Sequence, residues 1–535
     1  MVLPGSIAAL ALCVANAAAI PAAALLDDDA LAALLERARA AHGVAKFAAT
    51  RKELVLEGRA AIDGMEGART TRLAADGRFV TATATRLQRR VGFDGRQAWL
   101  VDAGGIPRPA WFAEREVVLL QSAVSFGAWC LENGPVVVLA VEPPEKGAAT
   151  QPAAGAATYF VRLRARDGEL EAKLEVDART ALPTVLHLSA AGVDETWIWS
   201  GWHEAAAALT LPAAFSIEDD GERDGWRLDA ARLVDPDPAT FALPSERPHD
   251  TTFNAARPAR LEGHATRSRH VVVKARLDGA DLGWFIFDSG AGATCIDPQA
   301  ADELRLPVFG ETKLGGAGAN RLTARFRSST TITVGPVTID HPFFVELEMD
   351  QLGSALGEKL AGICGYDLLQ RVVAVVDMKG GTVDLFDPAT FAKDGVTWRD
   401  LVLAGNHPHV RGTFENEGEE EGLFRLDTGA GSMSVLFHAP YVQKLGLLQG
   451  RETFPFAGTG GVGGASKTRA GRLAWFELGG QTIDDLNVLF CQDEAGAFAD
   501  PWTAGTIGST VLSRFDLILD YPHGRIGFVA HDPDR

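Results

Sequence analysis

The chain has 535 residues, enough for several domains, and its 47% apolar and 23% charged side chains are the proportions of a folded protein. With 51 basic against 70 acidic residues the formal charge is −19, which argues against nucleic acid or an anionic membrane surface as a partner. Past residue 26 the cysteines (Cys130, Cys295, Cys364, Cys491) show neither a disulfide framework nor paired metal spacing, and the twelve histidines form no ligand cluster, so no metal and no cofactor is expected.

Residues 1–26 carry no charge, are rich in Ala and Leu, and offer small-residue triplets such as Ala15-Asn16-Ala17 for cleavage. They read as a signal peptide, or as a membrane anchor if uncleaved, and imply an exported, periplasmic or secreted protein. The acidic runs Asp27-Asp28-Asp29 and "EGEEEG" read as solvated turns.

From 27 to 235 strand patterns dominate. Leu170 to Val176 alternates apolar with polar, and Trp197 and Trp199 flank Ile198 in the same way. "FDGRQAWLVDAGG" and "VRLRARDGELEAKL" read as strands joined at Asp-Gly turns. An antiparallel β-domain is expected. Its pattern resembles the half-barrel lipoprotein carriers and chaperones of the bacterial envelope, and that resemblance implies a lipid or peptide ligand for this part. Pro236, Pro238, Pro244, Pro248 and Pro258 mark residues 236–261 as a linker.

Beyond the linker the chain repeats itself, predicting one lobe over 262–392 and another over 393–535. "FIFDSGAGATCID" from Phe285 returns as "LFRLDTGAGSMSV" from Leu423. "ITVGPVTIDHPFFVEL" returns as "FELGGQTIDDLNVLF", and "AGICGYDLLQRVVAVVDMKGGTVDLFDP" as "AGTIGSTVLSRFDLILDYPHGRIGFVAHDP". Glycine clusters stand at matching places: Gly315, Gly316 and Gly318 in the first copy, Gly458, Gly460 and Gly461 in the second. The second cluster formally fits GxGxxG, but no βαβ unit surrounds it; a mobile flap suits both clusters better.

An aspartate behind three apolar residues sits at the end of a buried strand, where an isolated carboxylate is costly or stays protonated. Two such groups can share one proton, leaving one acid and one base; the aspartic proteases are the standard example of this pairing. Such a pair activates water without metal or covalent intermediate.

Apolar-apolar-Asp-Ser/Thr-Gly-Ala, then glycines, then an apolar-apolar-Gly element, is the order of the retropepsin and pepsin-like aspartic proteases. The chain resembles a bacterial-type, single-chain member of that group over about 262–533. The resemblance implies a mainly β, bilobed pseudo-dimer with Asp288 and Asp427 as the catalytic dyad. Ser289, Gly290, Thr428 and Gly429 would support the two loops. Ile363-Cys364-Gly365 and Thr506-Ile507-Gly508 would pack behind them, each followed by a short helix. No tyrosine stands near either glycine cluster, which departs from pepsin. The activity implied is an aspartic endopeptidase, working as a monomer on an extended polypeptide. The competing reading is a non-catalytic peptide- or lipid-binding envelope protein on a protease-like scaffold. Ala291 and Ala430 follow the two triplets, so neither carboxyl has the hydroxyl donor common there in pepsin-like enzymes, and a mildly acidic to near-neutral optimum is expected.

Overall fold

The computed structural model describes residues 25–144, 157–190, 193–206, 209–219 and 222–530, so nearly all of the expected signal segment lies outside the described residues. Strands hold 48% and helices 16% of the chain, which makes the class mainly β, as expected. No helix among the described residues is long and apolar enough to cross a membrane. The chain divides between Arg247 and Pro248 into two compact units.

Among the described residues the first unit holds a 13-stranded antiparallel sheet in which chain neighbours mostly pair, beside a two-stranded one; the first strand, Glu53–Ile62, pairs with the last, Glu222–Val234. Strand alternation is the expected one. Ala172, Leu174 and Val176 are buried along Glu171–Asp177, as are Trp197 and Trp199 on Val193–Ser200. At the Asp94-Gly95 turn the Asp94 carboxylate accepts from the amides of Arg96 (2.8 Å) and Gln97 (2.7 Å), fixing the hairpin.

Three helices were not legible. Phe112–Phe126 is buried on nearly every side, so no polar stripe marks its period. Its acids are spoken for: Glu114 pairs with Arg108 at 2.6 Å, and Glu116 accepts from the Leu170 amide at 2.6 Å. Asp28–His42 begins in the acidic run expected to be a turn. The Asp27 side chain caps it by accepting from Ala30 N at 2.8 Å, and Asp28 and Asp29 offset the helix dipole. Val44–Thr50 follows after Gly43, which is left-handed at φ 74°. Sheet and helix enclose a cavity of about 60 Å³ lined by Phe79, Val118, Phe126, Phe215 and Trp226, with the Arg69 guanidinium 4.5 Å over the Trp226 ring.

Residues of the expected linker, 236–261, make contacts within the unit on their own side of the boundary. Pro238–Phe241 forms a 3-10 turn whose Phe241 carbonyl accepts from the Trp99 indole at 2.8 Å in the first unit. Thr251–Phe253 pairs with Val337–Asp340, and Asp250 accepts from Arg371 at 2.9 Å, both in the second unit. Proline spacing gave the place of the boundary, but side chains on either side fold into their own cores.

The second unit holds two sheets with the same succession of strands. In one, Val271–Leu277 pairs with Ala280–Phe287, which runs parallel to Leu360–Cys364; then come Cys295–Ile296, Phe343–Glu346, Leu322–Ser328 and Val308–Leu314. In the other, His407–Glu415 pairs with Glu419–Leu426, which runs parallel to Gly505–Ile507; then come Val435–Phe437, Gln481–Cys491, Thr468–Leu478 and Phe454–Phe456. A third sheet joins the halves: Val373–Asp377 lies antiparallel to Phe515–Asp520, with Ala374 opposite Leu519. One hydrophobic core, including Phe285, Phe287, Phe424, Leu426 and Leu519, runs through both halves. The "EGEEEG" run turns only at Glu417-Gly418; Glu419 already opens a strand.

Candidate active site

Each aspartate ends a strand whose apolar residues are locked in the core. Phe285 and Phe287 precede Asp288, and Phe424 and Leu426 precede Asp427, all buried. The strand behind each loop catches its aspartate: Asp288 N donates to the Cys364 carbonyl and Asp427 N to the Ile507 carbonyl, both at 3.0 Å. The short helices Tyr366–Leu369 and Ser509–Leu512 then hold the loops from below. Tyr366 N donates to the Ala291 carbonyl and Ser509 N to the Ala430 carbonyl, again at 3.0 Å. Ile363-Cys364-Gly365 and Thr506-Ile507-Gly508 thus stand where the sequence reading puts them.

The two loops interlock through their hydroxyls. Ser289 N donates to Thr428 Oγ1 (2.9 Å) and Thr428 N to Ser289 Oγ (3.0 Å). Each hydroxyl donates onward to the opposite strand end, Ser289 Oγ to the Leu426 carbonyl (2.8 Å) and Thr428 Oγ1 to the Phe287 carbonyl (3.1 Å). Every polar atom of this buried square has a partner, which is what makes it rigid.

The glycines admit the carboxyl groups. A Cβ on Gly290 would lie 2.3 Å from Asp427 Cγ, and one on Gly429 would lie 2.4 Å from Asp288 Cγ. No other residue fits at either place. Asp288 Oδ1 accepts from Gly290 N (2.7 Å) and from Gly429 N (3.2 Å). Asp427 Oδ1 is buried without a hydrogen-bond partner among the described residues.

The two carboxyl groups hydrogen-bond to each other, and their surroundings make them unequal. Burial, then the charge of Asp427, holds Asp288 well above the usual carboxylate range, against the two amides it accepts from. Burial also raises Asp427, but there the charges of Arg425 and His270 and the hydrogen bond from Asp288 pull the other way. Burial raises both carboxyls, so the pair holds a shared proton above the usual carboxylate range.

Sequence reading missed three residues. Arg425 stands two places before Asp427 on its strand. His270 lies against Gly431, whose Cβ would come within 2.1 Å of its ring, and burial lowers its pKa despite a bond to the Gly429 carbonyl and the charge of Asp427. His407 lies correspondingly against Gly292, where a Cβ would come within 3.3 Å of its ring. A histidine opening the hairpin before each aspartate was the available signal, in "HVVV" and "HPHV".

The glycine clusters meet each other. Gly318 N donates to the Val462 carbonyl (2.9 Å), Asn320 N to the Gly463 carbonyl (3.2 Å), and Ala497 N to the Gly316 carbonyl (3.0 Å). Gly315 is exposed beside them. Gly460 and Gly461 pair with Ala465 and Gly464 in a two-residue hairpin, and Gly458 is left-handed at φ 124°. No helix opens after them, so the arrangement is a hairpin tip and not a nucleotide loop.

Residues 273–368 match the model of an aspartyl protease family, over the half that contains Asp288. No curated protein matches the chain. Among solved structures it is similar to Basic 7S globulin from soybean (10% identity, 52% of this chain and 96% of that one, TM-score 0.33). It is similar also to an aspartic proteinase from Irpex lacteus (13% identity, 51% and 97%, TM-score 0.32). A LolA superfamily protein from Nitrosomonas europaea is similar over 39% of this chain and 96% of its own (12% identity, TM-score 0.27). The family match over 273–368 supports an aspartyl protease-like fold for that region.

Proposed function

We propose that the unit from Pro248 onward is an aspartic endopeptidase built of two tandem copies, with Asp288 and Asp427 as its dyad. One observation carries the reading: two buried carboxyl groups meet inside a cradle that Gly290 and Gly429 permit, and burial raises both, so that one proton can be held between them. The aspartyl protease family match over 273–368 supports it independently.

In the mechanism, a water between the carboxyl groups loses a proton to the Asp427 carboxylate as its oxygen attacks the peptide carbonyl. Asp288 gives its proton to the carbonyl oxygen, so the tetrahedral intermediate is neutral. Asp427 then protonates the amide nitrogen, the C–N bond breaks, and a diol hydroxyl returns a proton to Asp288. The interlocked Ser289 and Thr428 keep both carboxyl groups in place, so little reorganisation accompanies reaction. The tips carrying Gly316, Gly318, Gly460 and Gly461 act as flaps over an extended substrate, and one chain supplies the whole site.

Incubation with a diverse peptide library tests the reading. The wild type should cut, and Asp288→Asn and Asp427→Asn should not. Hydrolysis that survives in either variant, or that a chelator abolishes, overturns it.

A further inference from the structure

The two halves of the site differ along one row of side chains. On the strand before Asp288, Ile286 stands between Val272 and Ile363 on the neighbouring strands, and all three are buried and apolar. On the strand before Asp427, Arg425 occupies the matching place between His409 and Thr506. Three apolar residues in one half are thus answered by three polar ones in the other. Side chains alternate along a strand, so Arg425 leaves the same face as Asp427, while Phe424 and Leu426 enter the core.

The polar row extends away from the dyad through hydrogen bonds. Thr506 Oγ1 meets His438 Nε2 at 3.0 Å, and His438 Nδ1 meets Thr503 Oγ1 at 3.0 Å. Thr503 in turn donates to Asp500. Burial, reinforced by the Arg425 charge, holds His407 and His438 well below the usual imidazole range and His409 at about 3. The imidazoles are therefore neutral and Arg425 is the cation of the row. Asp500 does not neutralise it by contact, for its oxygens accept from Trp502 N and the Thr503 hydroxyl. Arg425 Nε is buried without a partner among the described residues. A guanidinium on the strand face of Asp427 with its Nε unpaired is suited to an incoming carboxylate.

We propose that Arg425 binds a substrate carboxylate next to the scissile bond on the Asp427 side, so that the enzyme selects peptides bearing an Asp or Glu side chain, or a free C-terminus, at that place. The proposal rests on the peptidase reading above. It gives the cleft a direction, since the Asp288 side offers Ile286 where the Asp427 side offers a cation.

The full chain is assayed on two peptide series. In one, C-terminally amidated peptides differ only by Glu or Gln at each position around the bond cut. In the other, peptides ending just past that bond carry a free or an amidated C-terminus. The expected result is a kcat/KM ratio of about tenfold or more for carboxylate over amide at one position, the effect of one charge-assisted hydrogen bond. The series that shows the ratio identifies the source of the carboxylate. Arg425→Met should bring the ratio to about one, and Arg425→Lys should keep its sign. The ratio is the informative quantity, because any effect of Arg425 on Asp427 acts on both peptides alike. If Arg425→Met does not fold, Arg425→Gln takes its place, and a ratio that Arg425→Gln leaves unaltered overturns the proposal. Cleavage without preference, or a preference that Arg425→Met retains, overturns the carboxylate site and leaves the peptidase reading standing. Failure to cut any peptide overturns both.

Discussion

Ser289 and Thr428 hold each other reciprocally: the amide of each donates to the hydroxyl of the other, at 2.9 and 3.0 Å. Both are fully buried, so removing one hydroxyl strands an amide and a carbonyl with no water to take its place. Thr428→Val should cost about 1–3 kcal/mol of stability, and Thr428→Ser clearly less, since the serine hydroxyl can remake both bonds. Denaturation midpoints measure the difference; equal losses in the two variants would show that packing, and not the hydrogen bonds, holds the loops.

The dyad substitutions should separate chemistry from folding. Asp288→Asn keeps a neutral, hydrogen-bonding side chain where the protonated acid stands, so the fold should survive while turnover falls by at least about a thousandfold. Gly290→Ala should instead disrupt both, because its Cβ would press to 2.3 Å from Asp427 Cγ. Circular dichroism beside kcat distinguishes them. A well-folded, active Gly290→Ala would contradict the cradle.

Stability should carry the signature of Asp288. Its folded-state pKa is raised well above the ordinary 3.8, mainly by burial and then by Asp427. Between those two values the folded chain keeps a proton that the unfolded chain has lost, so stability falls as pH rises through the window. Asp288→Asn should flatten that slope. An identical slope in the variant would mean that another group holds the proton.

In the proposed mechanism activity needs one proton on the pair. Both limbs belong to the pair, and burial raises both carboxyls. The optimum should be mildly acidic to near neutral. A peak below about pH 3, where pepsin's pair works, would show that the amides and Arg425 outweigh burial.

The second unit should fold from Pro248 as a separate fragment. A fragment starting near residue 260 should melt lower, since it loses the strand Thr251–Phe253 and leaves the Arg371 guanidinium without Asp250. The expected difference is about 1–3 kcal/mol. Equal melting temperatures would mean that residues 248–259 contribute nothing.

Some of this was settled by local sequence. Apolar runs ending in Asp-Ser-Gly and Asp-Thr-Gly place each aspartate at a strand end, because burial of Phe285 and Phe287, or Phe424 and Leu426, leaves the next residue at the surface of the core. Glycines at 290 and 429 are legible as turns for the same local reason. Alternation along Glu171–Asp177 gave the β-class of the first unit, since one face of that strand is buried. Other features are decided only when distant segments meet. The helix Phe112–Phe126 is apolar all round because sheet and chain enclose it, and a period cannot show in a segment without a wet face. The run at Asp27 looks like a solvated turn until its carboxylate finds Ala30 N. That Arg425 opposes burial at Asp427 depends on strands that meet only in the fold. Spacing along the chain cannot reveal that opposition; it arises where the strands on either side of each aspartate bring different side chains to the same carboxyl pair.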